Sequence, residues 1–138
     1  DPVAHDDYPG MARINAEAPM PIAAGEYVYG GVPFRHLLEA HAIDIVMIDI
    51  LRSGGVSGWL KIAHMAEAFN LPVVSHLAPE LQVHLVAAVP NGLTVEYMPW
   101  SIALFEDVPR MKDGLIEVPQ RPGFGLAFDQ KALQRFAL

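Results

Sequence analysis

Four residues that titrate or bind metals each follow a short run rich in β-forming residues: Glu26, Asp49, His76 and Glu96. Successive members are 20 to 27 residues apart, a spacing typical of consecutive βα units. In a parallel α/β barrel the carboxyl ends of the strands form one mouth, where catalytic side chains from different strands meet. The spacing therefore predicts a single ring of acid, base and metal-binding groups.

Asp49 and His76 directly follow the apolar runs 45–48 and 73–75, where burial makes an unpaired charge costly. If their strands are neighbours, each is the obvious partner of the other. A carboxylate that accepts a hydrogen bond from one imidazole nitrogen fixes the tautomer and leaves the other nitrogen to act as a general base. His76 is thus the candidate base, and a purely structural histidine is the alternative.

The two glutamates differ in their flanking residues. Glu26 follows Gly25, which has no side chain to crowd the mouth, and its carboxylate suits Mg²⁺ as a hard oxygen ligand. Glu96 lies between Val95 and Tyr97, so a partly desolvated carboxyl that donates a proton or a hydrogen bond is expected. For each of the four residues taken alone, a solvated loop residue or a helix cap is the competing interpretation.

Two rival sites are weaker. His76, Glu80 and His84 have the i, i+4, i+8 spacing of zinc ligands on a helix, but Pro79 predicts that the helix starts after His76. The segment 52–55 (RSGG) resembles a phosphate loop but lacks the Gly-x-x-x-x-Gly-Lys-Ser/Thr pattern, and a tight βα turn explains its glycines.

The elements that position these residues alternate between β-rich runs and helical spacing, which predicts an α/β fold with a parallel sheet. The predicted strands are 20–25, 43–50, 72–76, 93–97 and 115–118, and the predicted helices are 7–16, 32–42, 57–70, 79–89 and one capped by Asp129 that runs to residue 138. No linker divides the chain.

Composition limits the function classes. The 138 residues, 52% of them hydrophobic, suffice for one core, and the net charge of −7 without a basic patch disfavours nucleic acids and anionic membranes as partners. With no cysteine there is no disulfide, thiolate metal site or thiol nucleophile. No signal sequence or membrane-length apolar run is visible, so a soluble, cytoplasmic protein is expected.

Taken in order, the motifs resemble the C-terminal part of the mandelate racemase branch of the enolase superfamily, which includes the muconate lactonizing enzymes. The matching segments cover nearly the whole chain: 21–26 (PIAAGE), 49–59 (DILRSGGVSGW), 74–77 (VSHL), 95–97 (VEY), 113–114 (DG) and 122–125 (PGFG).

This resemblance implies the C-terminal part of a (β/α)7β TIM-like barrel and a Mg²⁺ cofactor. In that family the metal stabilises an enediolate formed by removal of the proton α to a carboxylate. By position, Glu26 looks like the third metal ligand, and Asp49 and His76 look like the Asp-His dyad that acts as base. Glu96 looks like the acid that hydrogen-bonds the substrate carboxylate.

The resemblance also implies missing parts. Asp1 and Pro2 look like the end of an acidic-acidic-Pro segment after the fourth barrel strand. We therefore expect residues 1–138 to be a C-terminal barrel segment, with the capping domain, the first barrel strands, two metal ligands and any second base lying outside it. A processed or partial product is expected.

The predicted function is that of a Mg²⁺-dependent acid-sugar dehydratase, a lyase. A racemase or epimerase of a 2-hydroxy acid is the alternative within the family, and a non-catalytic βα module that binds a partner is the alternative outside it. The expected partners are a small acid-sugar carboxylate, the remainder of the same enzyme chain and further copies in a homo-oligomer.

Overall fold

A computed structural model describes residues 2–137 of the chain. A short 3-10 helix spans Ile102–Leu104. The α-helices are α1 (Tyr8–Glu17), α2 (Gly31–Glu39), α3 (Gly55–Ala68), α4 (Pro79–Ala88) and α5 (Gln130–Phe136). The strands are β1 (Ala23–Ala24), β2 (Ile45–Ile48), β3 (Val73–Ser75), β4 (Gly92–Thr94), β5 (Met111–Lys112) and β6 (Leu115–Ile116).

The first four strands form one parallel sheet in the order β1-β2-β3-β4, with one helix in each connection. This arrangement confirms the predicted α/β class. Ile48 at the end of β2 pairs with Ser75 at the end of β3. The next residues along the chain, Asp49 and His76, therefore leave the sheet side by side at its carboxyl edge.

The two faces of this sheet differ in burial. Helices α2, α3 and α4 contact one another in sequence order, and α3 and α4 also contact the sheet. Val46, Ile48 and Val73 point toward this helical layer and are completely buried with Trp59 of α3. The alternate residues, such as Met47, lie on the opposite, less buried face. Because side chains alternate along a strand, Asp49 lies on the same side as Met47.

The helices match the predicted ones closely, whereas the strands are shorter. The predicted strand 93–97 pairs only through Gly92–Thr94. The chain after residue 100 contains a β5–β6 hairpin of which only the second strand was predicted. Its two-residue turn is Asp113–Gly114, both with positive φ (52° and 77°), the turn that matches the twist of paired strands.

Two expectations concern residues outside the described range: the acidic-acidic-Pro interpretation of Asp1 and the continuation of the last helix to Leu138. Within residues 2–137, no helix has the length and hydropathy needed to cross a membrane.

Candidate active site

The structure brings Asp49 and His76 into direct contact. The Oδ2 atom of Asp49 lies 2.7 Å from Nδ1 of His76. The Asp49 side chain is 4% exposed and that of His76 is 16% exposed, so the pair is shielded on the aspartate side and reachable on the histidine side. An ionised carboxylate can only accept a hydrogen bond, which assigns the hydrogen to Nδ1 and leaves Nε2 to take up a proton.

The loop after β2 fixes the orientation of the Asp49 carboxylate. Its second oxygen, Oδ1, accepts hydrogen bonds from the backbone N–H groups of Leu51 and Arg52 at 2.6 and 3.1 Å. Such an Asx turn is a local preference of aspartate, so the sequence builds it without help from distant contacts. With Oδ1 engaged, Oδ2 is held toward His76.

The Glu96 side chain is hydrogen-bonded to Leu77, the residue that follows His76. Its Oε2 atom accepts a hydrogen bond from the backbone N–H of Leu77 at 2.7 Å. The backbone N–H of Glu96 donates to Oγ of Ser75, the last residue of β3, at 2.9 Å. These two contacts hold Glu96 against the backbone on either side of His76, at Ser75 and Leu77. Oε1 makes no hydrogen bond to the part of the chain that the structure describes.

Glu26 follows a glycine that no other residue replaces without strain. Gly25 has φ of +131°, and a Cβ atom there would lie 2.6 Å from the Phe34 ring and 2.7 Å from the carbonyl oxygen of Met47. The chain can therefore turn close to β2 and present the next side chain. The Oε2 atom of Glu26 is buried and has no hydrogen-bond partner among residues 2–137.

An unpartnered, buried carboxylate oxygen is costly unless something binds it, and Mg²⁺ prefers carboxylate oxygens. Glu26 therefore fits the role of a magnesium ligand. In the described part of the chain, no group of three or more His, Cys, Asp or Glu side chains is placed to hold a metal ion. Glu26 is thus a single ligand here and not a complete site.

Arg52 connects the ends of β1 and β2. Its Nη1 atom donates to the carbonyl oxygen of Glu26 at 2.6 Å and lies 3.7 Å from Oδ2 of Asp49. The guanidinium group also lies over the ring of Tyr27, 5.3 Å from its centroid, and 6.0 Å from that of Tyr29. Arg52 therefore places one positive charge between the proposed metal ligand and the dyad.

The rival sites are not formed as metal or phosphate sites. Helix α4 begins at Pro79, after His76, so the three zinc-spaced residues do not share one helix. Nε2 of His84 instead lies 3.0 Å from the carbonyl oxygen of Phe124. In the segment 52–55, the backbone N–H groups of Ser53 and Gly55 donate to carbonyls of the same turn.

Comparison with known proteins places this architecture. The family model for enolase C-terminal domain-like proteins matches residues 1–132. The chain belongs to this family. This match confirms the resemblance to the enolase superfamily. The crystal structure of a mandelate racemase/muconate lactonizing enzyme from Polaromonas sp. JS666 confirms the branch. It matches with a TM-score of 0.91 and 36% sequence identity, over 96% of this chain and 37% of that one.

Two further relatives of this enolase-superfamily chain carry dehydratase names. D-xylonate dehydratase of Haloferax volcanii is 33% identical over 97% of this chain and 35% of its own length. L-talarate dehydratase from Polaromonas sp. JS666, solved with Mg and L-glucarate, has a TM-score of 0.90 and 36% identity over 96% of this chain and 37% of that one. The chain thus spans little more than a third of the relatives it matches.

Two buried residues next to the dyad of this enolase-superfamily chain, Gln82 and Trp59, were not predicted to support it. Gln82 of α4 is completely buried and donates from Nε2 to the carbonyl oxygens of His76 and Leu77. Its Oε1 accepts from Nε1 of Trp59 at 2.9 Å. The only signal in the sequence is an amide within the apolar stretch of α4, where a buried polar side chain needs partners.

Proposed function

We propose that this chain is the C-terminal barrel segment of a Mg²⁺-dependent acid-sugar dehydratase. The observation that carries the proposal is the 2.7 Å contact between Asp49 and His76 at adjacent strand ends. Relatives named for D-xylonate and L-talarate support the substrate class, a carboxylate with hydroxyl groups on the neighbouring carbons.

The residues have separate roles in this proposal. Nε2 of His76 removes the proton from the carbon next to the substrate carboxylate, and Asp49 stabilises the imidazolium that forms. In the second step the same imidazolium returns its proton to the departing β-hydroxyl. Glu96, whose Oε2 accepts from the N–H of Leu77, donates a hydrogen bond from its other oxygen, as a neutral carboxyl group, to the substrate carboxylate.

Glu26 is the proposed magnesium ligand because its buried Oε2 lacks a protein partner among residues 2–137. When bound, Mg²⁺ supplies positive charge beside the carboxylate oxygen on which negative charge develops. Arg52 holds the Glu26 backbone in place through the carbonyl contact and adds to the positive potential of the mouth.

The same proposal covers the rest of the protein. Residues 1–138 form one segment of the catalytic (β/α)7β barrel, and the capping domain and first barrel strands lie elsewhere in the enzyme. Those strands carry the other metal ligands. The active enzyme is proposed to be a homo-oligomer that acts in the cytoplasm on a small acid sugar.

A racemase or epimerase is the second candidate, favoured by the relative that is named as a mandelate racemase/muconate lactonizing enzyme. Dehydration needs one base with acid assistance on one side of the substrate. Racemisation also needs a group on the opposite side, which the four strand-end residues do not supply. A non-catalytic βα module is the third candidate.

The test uses the full-length protein that carries this segment. A panel of acid sugars is incubated with Mg²⁺ in deuterated water, and both the 2-keto-3-deoxy acid product and deuterium on the α-carbon are measured. Formation of the keto acid supports a dehydratase. Deuterium with inverted configuration and no keto acid supports a racemase, and the absence of both across the panel refutes catalysis.

Two variants sharpen this experiment. We expect His76→Asn to abolish deuterium incorporation and leave Mg²⁺ affinity nearly unchanged, because the imidazole is the base and Glu26 is the metal ligand. His64→Asn, an exposed histidine on α3, is the matched control and retains activity. Deuterium incorporation by His76→Asn at the unmodified rate would remove His76 from the role of base.

A further inference from the structure

We propose that Gln82 is a positioning residue that sets the reactive geometry of the Asp49–His76 dyad through its hydrogen bonds to the backbone of residues 76 and 77. This inference rests on the proposed function, because it concerns the base of that reaction. Gln82 is completely buried, and its amide lies at the point where the chain leaves β3 and turns into α4. Its side-chain amide bonds the carbonyl oxygens of His76 and Leu77 and the indole N–H of Trp59.

The contacts of this amide secure both neighbouring strand ends. Nε2 donates to two successive carbonyl oxygens, those of His76 and Leu77, the second at 3.0 Å. Oε1 accepts from the Trp59 indole N–H, which also lies 3.3 Å from the carbonyl oxygen of Ile48. Ile48 directly precedes Asp49, so one connected network joins the backbone of both dyad residues.

The turn that Gln82 holds does not have an intrinsically preferred conformation. Leu77 and Ala78 have φ of 55° and 41°, the left-handed region that residues with a side chain rarely adopt. Neither is a glycine, so the surrounding contacts must maintain this conformation. Glu96 accepts from the N–H of Leu77, while Gln82 donates to its carbonyl.

This arrangement explains how a short strand can present an imidazole reproducibly. The direction of the His76 side chain depends on the backbone at residues 76–78. Gln82 holds the carbonyl oxygens of this backbone, and Glu96 holds the N–H of Leu77. An enzyme loses much of its catalytic rate when a catalytic side chain is displaced by about 1 Å. Loss of the Gln82 amide is therefore expected to affect turnover more than substrate binding.

The main test compares two substitutions of the same chemistry in the full-length protein. Gln82→Met keeps the shape of the side chain but removes the donors. Asn91→Leu is the matched control, because Asn91 also donates one amide to two carbonyls, those of Ala63 and Leu71, at the amino end of β4. We expect both variants to lose some thermal stability.

Only Gln82→Met is expected to lower kcat, by roughly 10- to 100-fold, with KM little changed. The downfield proton resonance of His76 Nδ1–H, assigned by its loss in His76→Asn, is expected to shift in Gln82→Met and to stay unchanged in Asn91→Leu. A folded Gln82→Met protein with an unchanged kcat and resonance would overturn the proposal.

Trp59→Phe provides a second route if Gln82→Met fails to fold. It removes the indole donor and leaves an aromatic ring in the core, so the Gln82 amide loses the partner of its oxygen. The same resonance shift and fall in kcat are expected, and their absence in folded Trp59→Phe would overturn the proposal. The resonance can be recorded without turnover. If the wild-type protein has no dehydratase activity but the substitution still shifts the resonance, only the dehydratase proposal is contradicted.

Discussion

Replacing Asp49 by asparagine changes one atom and is expected to reverse the tautomer of His76. The asparagine oxygen can accept from the N–H groups of Leu51 and Arg52, as Oδ1 of the aspartate does. The amide NH₂ then faces Nδ1 of His76, which must become an acceptor. The ring hydrogen moves to Nε2, the nitrogen that is proposed to remove the substrate proton.

The structure also indicates which orientation the asparagine takes. With the oxygen toward the loop, two backbone donors stay satisfied. With the oxygen toward His76, two donors face an amide NH₂ and one contact is kept. At about 1 kcal/mol per hydrogen bond, the first orientation is preferred by at least that amount. An incorrect tautomer in an Asp-His pair lowers turnover by about 10³- to 10⁴-fold, equivalent to roughly 4 to 5.5 kcal/mol of barrier.

The assay is α-deuterium incorporation by the full-length protein, combined with nitrogen-15 chemical shifts of the His76 ring, which distinguish the two neutral tautomers. Asp44→Asn is the control, because Asp44 also accepts backbone and side-chain hydrogen bonds but lies before β2, at the other end of the sheet. If Asp49→Asn keeps the hydrogen on Nδ1, or exchanges deuterium as fast as the Asp44→Asn control, the tautomer argument is refuted.

Three further predictions test the metal ligand and the fold. In calorimetric titration of the full-length protein, Glu26→Gln is expected to weaken Mg²⁺ binding at least roughly tenfold. The control Glu17→Gln, at an exposed position of α1, is expected to leave Mg²⁺ affinity unchanged, and equal affinities of the two variants would exclude Glu26 as a ligand. Gly25→Ala is expected to cost about 2 to 5 kcal/mol of unfolding free energy, because the added Cβ would meet the Phe34 ring and the Met47 carbonyl. Gly54→Ala is the control at about 1 kcal/mol, because Gly54 is left-handed and no atom lies within 4 Å of its added Cβ; equal losses in urea denaturation would show that the contacts at Gly25 do not matter. Asp7→Ala removes the N-cap of α1 and should cost about 1 kcal/mol; unchanged unfolding would argue against that cap.

Much of the fold follows from local patterns in the sequence. Helix α4 starts at Pro79 because proline suits the first turn, and Asp129 caps α5 as predicted. The order of helices and strands, and hence the parallel sheet, follows from the same periodicity. The positions of Asp49 and His76 follow as well, because each directly succeeds a short apolar strand.

The rest depends on tertiary contacts. The predicted strand 93–97 stops at Thr94, because the N–H of Glu96 bonds the Ser75 hydroxyl instead of a strand partner. Strand β5 has no β-branched or aromatic residue, so only its turn signalled a hairpin. Gln82 was missed because its partners are backbone carbonyls that become neighbours only once the turn at 76–78 has formed.

The roles of Glu26, Glu96 and His76 are tested most directly by a crystal structure of the full-length protein, as the H76N variant, with Mg²⁺ and an acid sugar bound. We expect that Glu26 ligates the ion, that Glu96 contacts the substrate carboxylate, and that the side chain at position 76 faces the α-carbon within about 3.5 Å. An α-carbon turned away from position 76, or an ion without Glu26 in its coordination sphere, would contradict these roles.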